Sequence, residues 1–444
     1  MLNQLRLKVR LLPLAVGAAL LLQGGSAAAL NLVQAYEAAL KNDPAYRSAY
    51  FANESGKENR VLGRAALLPT VTGSYSASRN NLRDEVNNRS TEQSYISRSA
   101  VLQVRQPLVS VDAYARYKLG NAQSEYAAAQ FDSQGQEVIL RVTGAYLDVL
   151  LRQDQLALAK AERDMYAEQR KVNDLLLSKG EGTRTDALET QSRLDLAEAQ
   201  VLEAQDNLTN AKDTLAGVIG GEVGELDALR PGFRPAPAEV QSYDVWKQTA
   251  LDNNPDLKTL RYGVEIARQE ITRARAGHTP RLDFVGTLQK SDSDTTNTIN
   301  RRQNLSSVGI QLNVPLYAGG SVNAQSRQAV ANRSKAEEDL QVQTDKVLIE
   351  LRKDYNILVS SVARIDALIK AVDSARLLIT ATEQSIKGGV RINLDLLVAQ
   401  RQLHTAQRDL AQARYNYMIS SLRLRSAAGT LSGDDVRLLA AHFQ

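Results

Sequence analysis

The sequence predicts a mainly helical, internally duplicated chain that also carries a few β-strands of the membrane-spanning kind, and three observations point there. Two long proline-free stretches, Leu108 to Arg230 and Leu316 to the end, are rich in Ala, Leu, Gln, Glu, Lys and Arg, the strong helix formers. Six prolines fall into three pairs at nearly one separation. Four segments of about ten residues alternate apolar with polar side chains, the pattern of strands that face lipid on one side and water on the other.

Composition narrows the function classes. The 444 residues are 43% hydrophobic but only 5% aromatic, with one Trp and no Cys, thin material for several compact cores and no basis for disulfides, thiolate metal sites or Cys nucleophiles. Three scattered histidines, His278, His404 and His442, do not make a metal centre. No metal, cofactor or enzymatic chemistry is expected, since no nucleophile and base or ligand spacing recurs.

The N-terminus reads as a secretory signal. Arg6, Lys8 and Arg10 precede an apolar stretch from Leu11 to Leu22, and Ala27-Ala28-Ala29 offers small residues for cleavage before Leu30. The apolar run is too short to cross about 30 Å of hydrocarbon. Removing its three basic residues changes the balance from 54 against 50 to 51 against 50, so no nucleic-acid footprint remains. Residues 1–29 are therefore assigned to the signal, and the exported chain carries no second long apolar run.

The prolines then reveal the repeat. Pro44 and Pro255 lie 211 residues apart, Pro69 and Pro280 also 211, and Pro107 and Pro315 208. Tyr146 and Tyr355, Gly180 and Gly389, Asp186 and Asp395, and Gly220 and Gly429 are each 209 apart. A period this long is domain duplication, not a solenoid. The expected organisation is a first repeat over 30–220, a linker over 221–240 containing Pro231, Pro235 and Pro237, a second repeat over 241–430 and a C-terminal tail over 431–444.

Within each repeat the elements follow in order. A short helix is expected over 45–67, then two strands, then a very long helix over 111–177, and its counterpart over 319–386, each extending about 100 Å at about 1.5 Å per residue. Gly180 and Gly182, or Gly388 and Gly389, break the chain before shorter helices over 186–220 and 395–429. The short helices of one repeat together reach about 87 Å, so two of them end to end match one long helix. The strand pattern places Val71, Gly73, Tyr75 and Ala77, Ala100, Leu102 and Val104, Leu282, Phe284, Gly286 and Leu288, and Val308, Ile310, Leu312 and Val314 on apolar faces. Polar loops are expected over 79–97 and 290–306, the latter with Asp292 and Asp294. A half-buried soluble sheet is the alternative reading of the same alternation. Four strands cannot close a membrane barrel, for which roughly eight is the minimum, so the barrel reading demands an oligomer: two chains give eight strands and three give twelve.

The duplication, the helix-strand-strand-helix-helix order and the echo of Gly180 to Asp186 in Gly389 to Asp395 resemble the TolC family of outer-membrane channel-tunnels over essentially the whole exported chain. Gly180-Glu181-Gly182-Thr183-Arg184-Thr185-Asp186, Arg105-Gln106-Pro107-Leu108, Asp112-Ala113-Tyr114-Ala115-Arg116-Tyr117 and Ala413-Arg414-Tyr415-Asn416-Tyr417 are similar to the branch that serves type I protein secretion, as in alkaline protease exporters. The resemblance implies a homotrimer with a twelve-stranded barrel in outer-membrane lipid, continued by a periplasmic α-helical barrel. It further implies a membrane-fusion adaptor protein and an inner-membrane ABC transporter as partners, and a secreted protein as cargo. A drug-efflux duct shares every one of these features, and a soluble periplasmic coiled-coil scaffold is the reading from another class.

The same resemblance places a periplasmic constriction at Asp395, with Arg391, Thr185 and Asp186 as closing partners, and adaptor-contacting hairpin tips at Gly180, Glu181, Gly182, Thr183 and Arg184 and at Lys387, Gly388 and Gly389. Two family features differ: Val398 stands where a second aspartate is expected, and Ile386 where a gate tyrosine is expected. Helix capping is the plainer role for the two aspartates, because Asp186 with Glu189 has capping-box spacing and Asp395 opens a leucine-rich helix. His278 and His404 are expected at the surface.

Overall fold

A computed structural model of the protein describes residues 29–230, 232–235, 242–295 and 298–444; the expected signal segment, but for Ala29, and the linker residues 231 and 236–240 lie outside them. The first repeat contains α1 (Leu32–Asn42), α2 (Pro44–Ala65), β1 (Thr70–Val86), β2 (Arg89–Val109), α3 (Val111–Ser178) and α4 (Arg184–Ile219). The second contains α5 (Tyr243–Asn253), α6 (Pro255–Arg275), β3 (Arg281–Thr295), β4 (Thr298–Asn313), α7 (Ser321–Lys387) and α8 (Asn393–Ala427), and α9 (Gly433–Ala440) ends the chain.

The paired prolines Pro44 and Pro255 sit at the first position of α2 and α6, where the missing N–H would have had no partner anyway. Asp43 and Asn254 cap these helices through Ala45 N at 2.8 Å and Leu257 N at 3.1 Å. The 68 residues of α3 and 67 of α7 each span about 100 Å. As the lengths require, α2 and α4 lie along α3, and α6 and α8 lie along α7; α3 additionally packs on α6 and α8 and so joins the repeats.

The main core lies at the equator of the helical region. Tyr146, fully buried on α3, donates its hydroxyl to Leu30 O at 2.9 Å and stacks edge-on against Phe443 with centroids 5.9 Å apart. Burial pushes its phenol pKa well above the usual tyrosine value. Two segments expected to be a linker and a tail are built into this core. Leu226 bridges to Leu30, Leu229 bridges to Phe443, and Leu226, Phe233, Val436, Leu439 and Phe443 are all buried there. Prolines mark the first segment and a Ser-Gly-Asp-Asp run the second as loop-like in sequence, but their few apolar side chains join the core around Tyr146.

The strands form one antiparallel sheet in the order β1-β2-β3-β4. Each apolar segment read from the sequence falls on one face, with Val314 lying beyond the end of β4: Val71 pairs with Val104, Val104 with Gly286 and Gly286 with Val308, while Gly73, Leu102 and Leu288 form the next row. Leu282 opposite Leu312 and Phe284 opposite Ile310 extend it. The other face carries Thr72, Ser74, Ser76, Gln103, Thr287, Gln289 and Gln311, because successive side chains in a strand point to opposite sides. Val101, out of pattern in sequence, lies among these polar residues.

The expected loops are too long. β1 pairs with β2 without interruption out to Val86 opposite Arg89, leaving a two-residue turn in which Asn87 and Asn88 both have positive φ, 52° and 64°, the geometry of a type I′ hairpin. β3 and β4 likewise run through 290–295 and 298–306, and Asp292 is a strand residue paired to Arg302 at 3.6 Å. These turn-proximal halves lack an apolar face, so alternation does not mark them; the backbone ladder carries them. At the foot of the sheet, Pro107, which cannot donate to a ladder, lies at a register shift against β3.

Candidate functional site: two hairpin turns of one design

The ends of the two long helical hairpins carry the residues singled out in sequence. The α3–α4 turn makes four backbone hydrogen bonds: Lys179 N to Leu175 O, Gly180 N to Leu177 O, Glu181 N to Leu176 O and Gly182 N to Leu176 O. The α7–α8 turn makes the same four, shifted by 209 residues: Gly388 N to Gln384 O, Gly389 N to Ile386 O, Val390 N to Ser385 O and Arg391 N to Ser385 O. Gly180 and Gly389 supply the left-handed residue that such a helix ending needs, with φ of 76° and 73°.

Beyond the turns the hairpins differ in side chains. Thr183 caps α4, its Oγ1 accepting from Asp186 N at 3.1 Å and donating to Asp186 Oδ2 at 2.7 Å. The expected box of Asp186 with Glu189 is therefore replaced by a simple N-cap at Thr183, and Glu189 instead accepts from Arg193 at 2.7 Å. Residues 183 and 186 are one helical turn apart, so the short threonine reaches the N–H that an Asp186 cap would have left bare. In the second hairpin the cap position is Ile392, whose side chain caps nothing. Asp395 lies in the first turn of α8 without capping it, and only its N–H, bonded to Ile392 O at 3.1 Å, closes that turn.

A second difference lies one turn deeper, and the sequence reading missed it. Buried Asn173 on α3 donates to Thr190 Oγ1 on α4 at 2.7 Å, and Thr190 donates to Asp186 O at 2.9 Å. The equivalent positions, 209 residues on, are Thr382 and Ala399. Both are buried, and Thr382 Oγ1 has no hydrogen-bond partner among the described residues. Comparing the repeats at their fixed offset, residue by residue, would have exposed this pair.

Thr185 and Arg391 are exposed, and Asp186 and Asp395 are half-buried. Among the described residues no ion pair within the chain engages Arg391 or Asp395, and none links either to Asp186. Glu181, Arg184, Lys387, Gly388 and Gly389 are exposed, and beside them stand exposed apolar side chains: Val390 at 82%, Ile392 at 64% and Leu188 at 61% relative exposure. Fully solvated apolar residues at a hairpin tip suit a surface that is covered in an assembly.

Where the hairpins meet, Leu397 of α8 packs on Tyr166 of α3 together with Leu194 and Ala197 of α4. Somewhat further from the tips, His404 of α8 faces a cavity shared with Leu158 and Glu162 of α3 and Gln200 of α4. His404 is half-buried, contrary to the surface position expected, and its Nδ1 lacks a hydrogen-bond partner. Burial holds its pKa below the ordinary histidine value, with Glu162 acting in the opposite sense. The helix-face periodicity of α8 is too weak to place this residue from sequence. His278 is exposed as expected and bonds to Asn323 at 3.0 Å.

The family described as "Outer membrane efflux protein" matches residues 35–221 and 246–430, one stretch on each repeat. The alkaline protease secretion protein AprF of Pseudomonas aeruginosa is 41% identical over 442 residues, covering 98% of this chain and 92% of that protein. The proteases secretion protein PrtF of Dickeya chrysanthemi is 38% identical over 430 residues, covering 95% and 93%. Among solved structures, the Campylobacter jejuni CmeC outer membrane channel shares the fold with a TM-score of 0.81 over 93% of this chain and 90% of that one, at 16% identity. Duplicated helical hairpins, a sheet with one apolar face and a match along both repeats agree, and the chain belongs to the outer membrane efflux protein family.

Proposed function

We propose that three copies of this chain assemble into an outer-membrane channel-tunnel that serves ABC-transporter-driven, type I protein secretion. The carrying observation is the sheet: four strands with one apolar face, open at β1 and β4, leading into hairpins whose longest helices reach about 100 Å. No helix among the described residues is long and apolar enough to cross a membrane, so the strands are what remains to meet lipid. Three sheets joined β1 to β4 give the twelve strands of a closed barrel, its apolar face outward and its Ser, Thr and Gln face lining the channel. The helical hairpins then extend into the periplasm, with residues 1–29 removed as an export signal.

The chain is a conduit and not an enzyme; transport energy comes from the partner transporter. In this reading the Gly180–Arg184 and Lys387–Gly389 tips contact a membrane-fusion adaptor, and three copies of Asp395 ring the constriction, with Arg391, Thr185 and Asp186 as closing contacts between hairpins. The similarity to two protease secretion proteins favours an unfolded exoprotein, such as a protease, as cargo over small drugs. The test is twofold. Discrete cation-selective openings in planar bilayers are expected from the purified oligomer, and deletion of the gene should abolish export of the cognate protease while leaving drug susceptibility unchanged. A well-folded oligomer that never inserts would point to a periplasmic scaffold instead, and a deletion that alters only drug susceptibility would identify an efflux duct.

A further inference from the structure

The apolar face of the sheet ends abruptly in a cluster of cations. From Leu282 and Leu312 up to Leu288, Leu102 and Gly73 this face carries no charge. The next row toward the strand turns holds Tyr75, Ala100, Lys290 and Asn304, and the row after it Ala77, Arg98, Asp292 and Arg302. Arg79 follows, opposite Ile96. Arg79, Arg98, Lys290 and Arg302 are all exposed and point to the same side as the apolar band. Among the side chains the structure describes, Asp292 is the one carboxylate in these rows, paired with Arg302 Nε at 3.6 Å, so the cations there outnumber it. Further out the balance returns, since Arg83 faces Glu92 at 3.6 Å.

The position selects the partner. Neighbouring strands are about 4.8 Å apart, so Arg98 and Arg302, opposite Asp292 on its two sides, have backbones about 10 Å apart, and Lys290, two residues before Asp292 on β3, lies diagonal to both, within reach of one anionic group for side chains this long. Two guanidinium groups reaching in from either side of β3 and an ammonium match the oxygens of a phosphate. Tyr75, 69% exposed, lies at the edge of the apolar band, where amphipathic rings mark a membrane interface. With the helices directed into the periplasm, the turn end of the sheet faces outward and the cluster stands level with the headgroups of the outer leaflet. We infer that Arg98, Lys290 and Arg302, extended by Arg79, form a binding surface for a phosphorylated lipid of the outer leaflet, whose acyl chains lie along Leu102, Leu288 and Val308.

The inference rests on the barrel reading, and the experiment separates the two. The full oligomer is purified in detergent and its binding to diphosphoryl lipid A is compared with binding to the dephosphorylated lipid. Wild type is expected to prefer the phosphorylated form by about tenfold or more. The triple variant Arg98→Gln/Lys290→Gln/Arg302→Gln should lose that preference while keeping its channel currents, and Arg98→Lys should keep it. If the triple variant fails to assemble, Lys290→Gln alone should lower the preference measurably. Equal binding of the two lipids by wild type, an undiminished preference in the variants, or full displacement by inorganic phosphate at matched phosphorus concentration would overturn the inference. Normal wild-type channels without phosphate preference sink the lipid surface alone; absence of any channel sinks the barrel with it.

Discussion

Thr382 stands in the second hairpin where Asn173 stands in the first, and its buried hydroxyl has lost the partner that Asn173 finds in Thr190. An unsatisfied buried polar group costs about 1–3 kcal/mol, whereas a satisfied one contributes about 1 kcal/mol. The two hairpins thus share a turn and differ in how firmly their helices are fastened beneath it. Thr382→Val should be neutral or stabilising, and Asn173→Leu should destabilise by about 1 kcal/mol or more. Hydrogen exchange of the α3–α4 and α7–α8 amides in the assembled protein reads both; a large loss of protection in Thr382→Val would mean that its hydroxyl is satisfied in the assembly.

The missing cap at Ile392 acts in the same direction. Replacing Ile392 with Thr copies the Thr183 arrangement and should stabilise the first turn of α8 by about 1 kcal/mol, slowing exchange there about fivefold. If the α7–α8 hairpin is the part that moves, the same variant should lower the open probability of single channels. Unchanged gating with slower exchange would place the movement elsewhere.

Acid should loosen the contact between α8 and the first hairpin. An unfolded histidine takes up a proton near pH 6.5, whereas burial in the cavity with Leu158 and Gln200 lowers the pKa of folded His404. The unfolded state then binds more protons between the lowered value and about 6.5, so the stability associated with neutral His404 is complete above about pH 6.5 and declines as pH falls below it. Glu162 across the cavity moderates the effect, while Arg401 and Arg408 on the same helix line it. The thermal midpoint should fall more steeply from about pH 7 to 5 in wild type than in His404→Gln. Parallel curves would remove this group from the acid response.

Asp395 offers a half-buried carboxylate with no ion pair of its own within the chain, among the described residues. Three copies on a threefold axis would favour cations at the constriction. Asp395→Ala should raise single-channel conductance and weaken block by multivalent cations, with little effect on stability, because the residue caps nothing. Block that survives the substitution would place the constriction at other residues.

The frame of the molecule was legible because its punctuation is chemical. Pro44 and Pro255 mark helix starts, Gly180 and Gly389 mark helix ends, and the long helices expected over 111–177 and 319–386 fall within two residues of α3 and α7. The apolar rows could be read because Val71, Leu102, Leu288 and Val308 belong to one apolar face backed by a face rich in Ser, Thr and Gln. Outside that band β1 and β2 are mostly polar on both faces, and nothing in Asn80-Asn81 or Ser90-Thr91 announces a strand. The Asn173–Thr190 link stayed hidden because polar residues in an amphipathic helix ordinarily face water, and only the packing of α3 on α4 turns these two inward.

The open edges at β1 and β4 also govern how the protein comes into being. A single copy carries two rows of bare amide and carbonyl groups, one along the 17 residues of β1 and one along the 16 of β4, and hydrocarbon would offer them nothing to bond. If three copies close the barrel as proposed, folding of the sheet, recruitment of two more copies and entry into lipid become one coupled event, whose yield depends steeply on how many chains arrive together. A cell that makes the chain too sparsely would accumulate aggregation-prone orphans for its periplasmic chaperones and proteases to clear, rather than a smaller number of working pores.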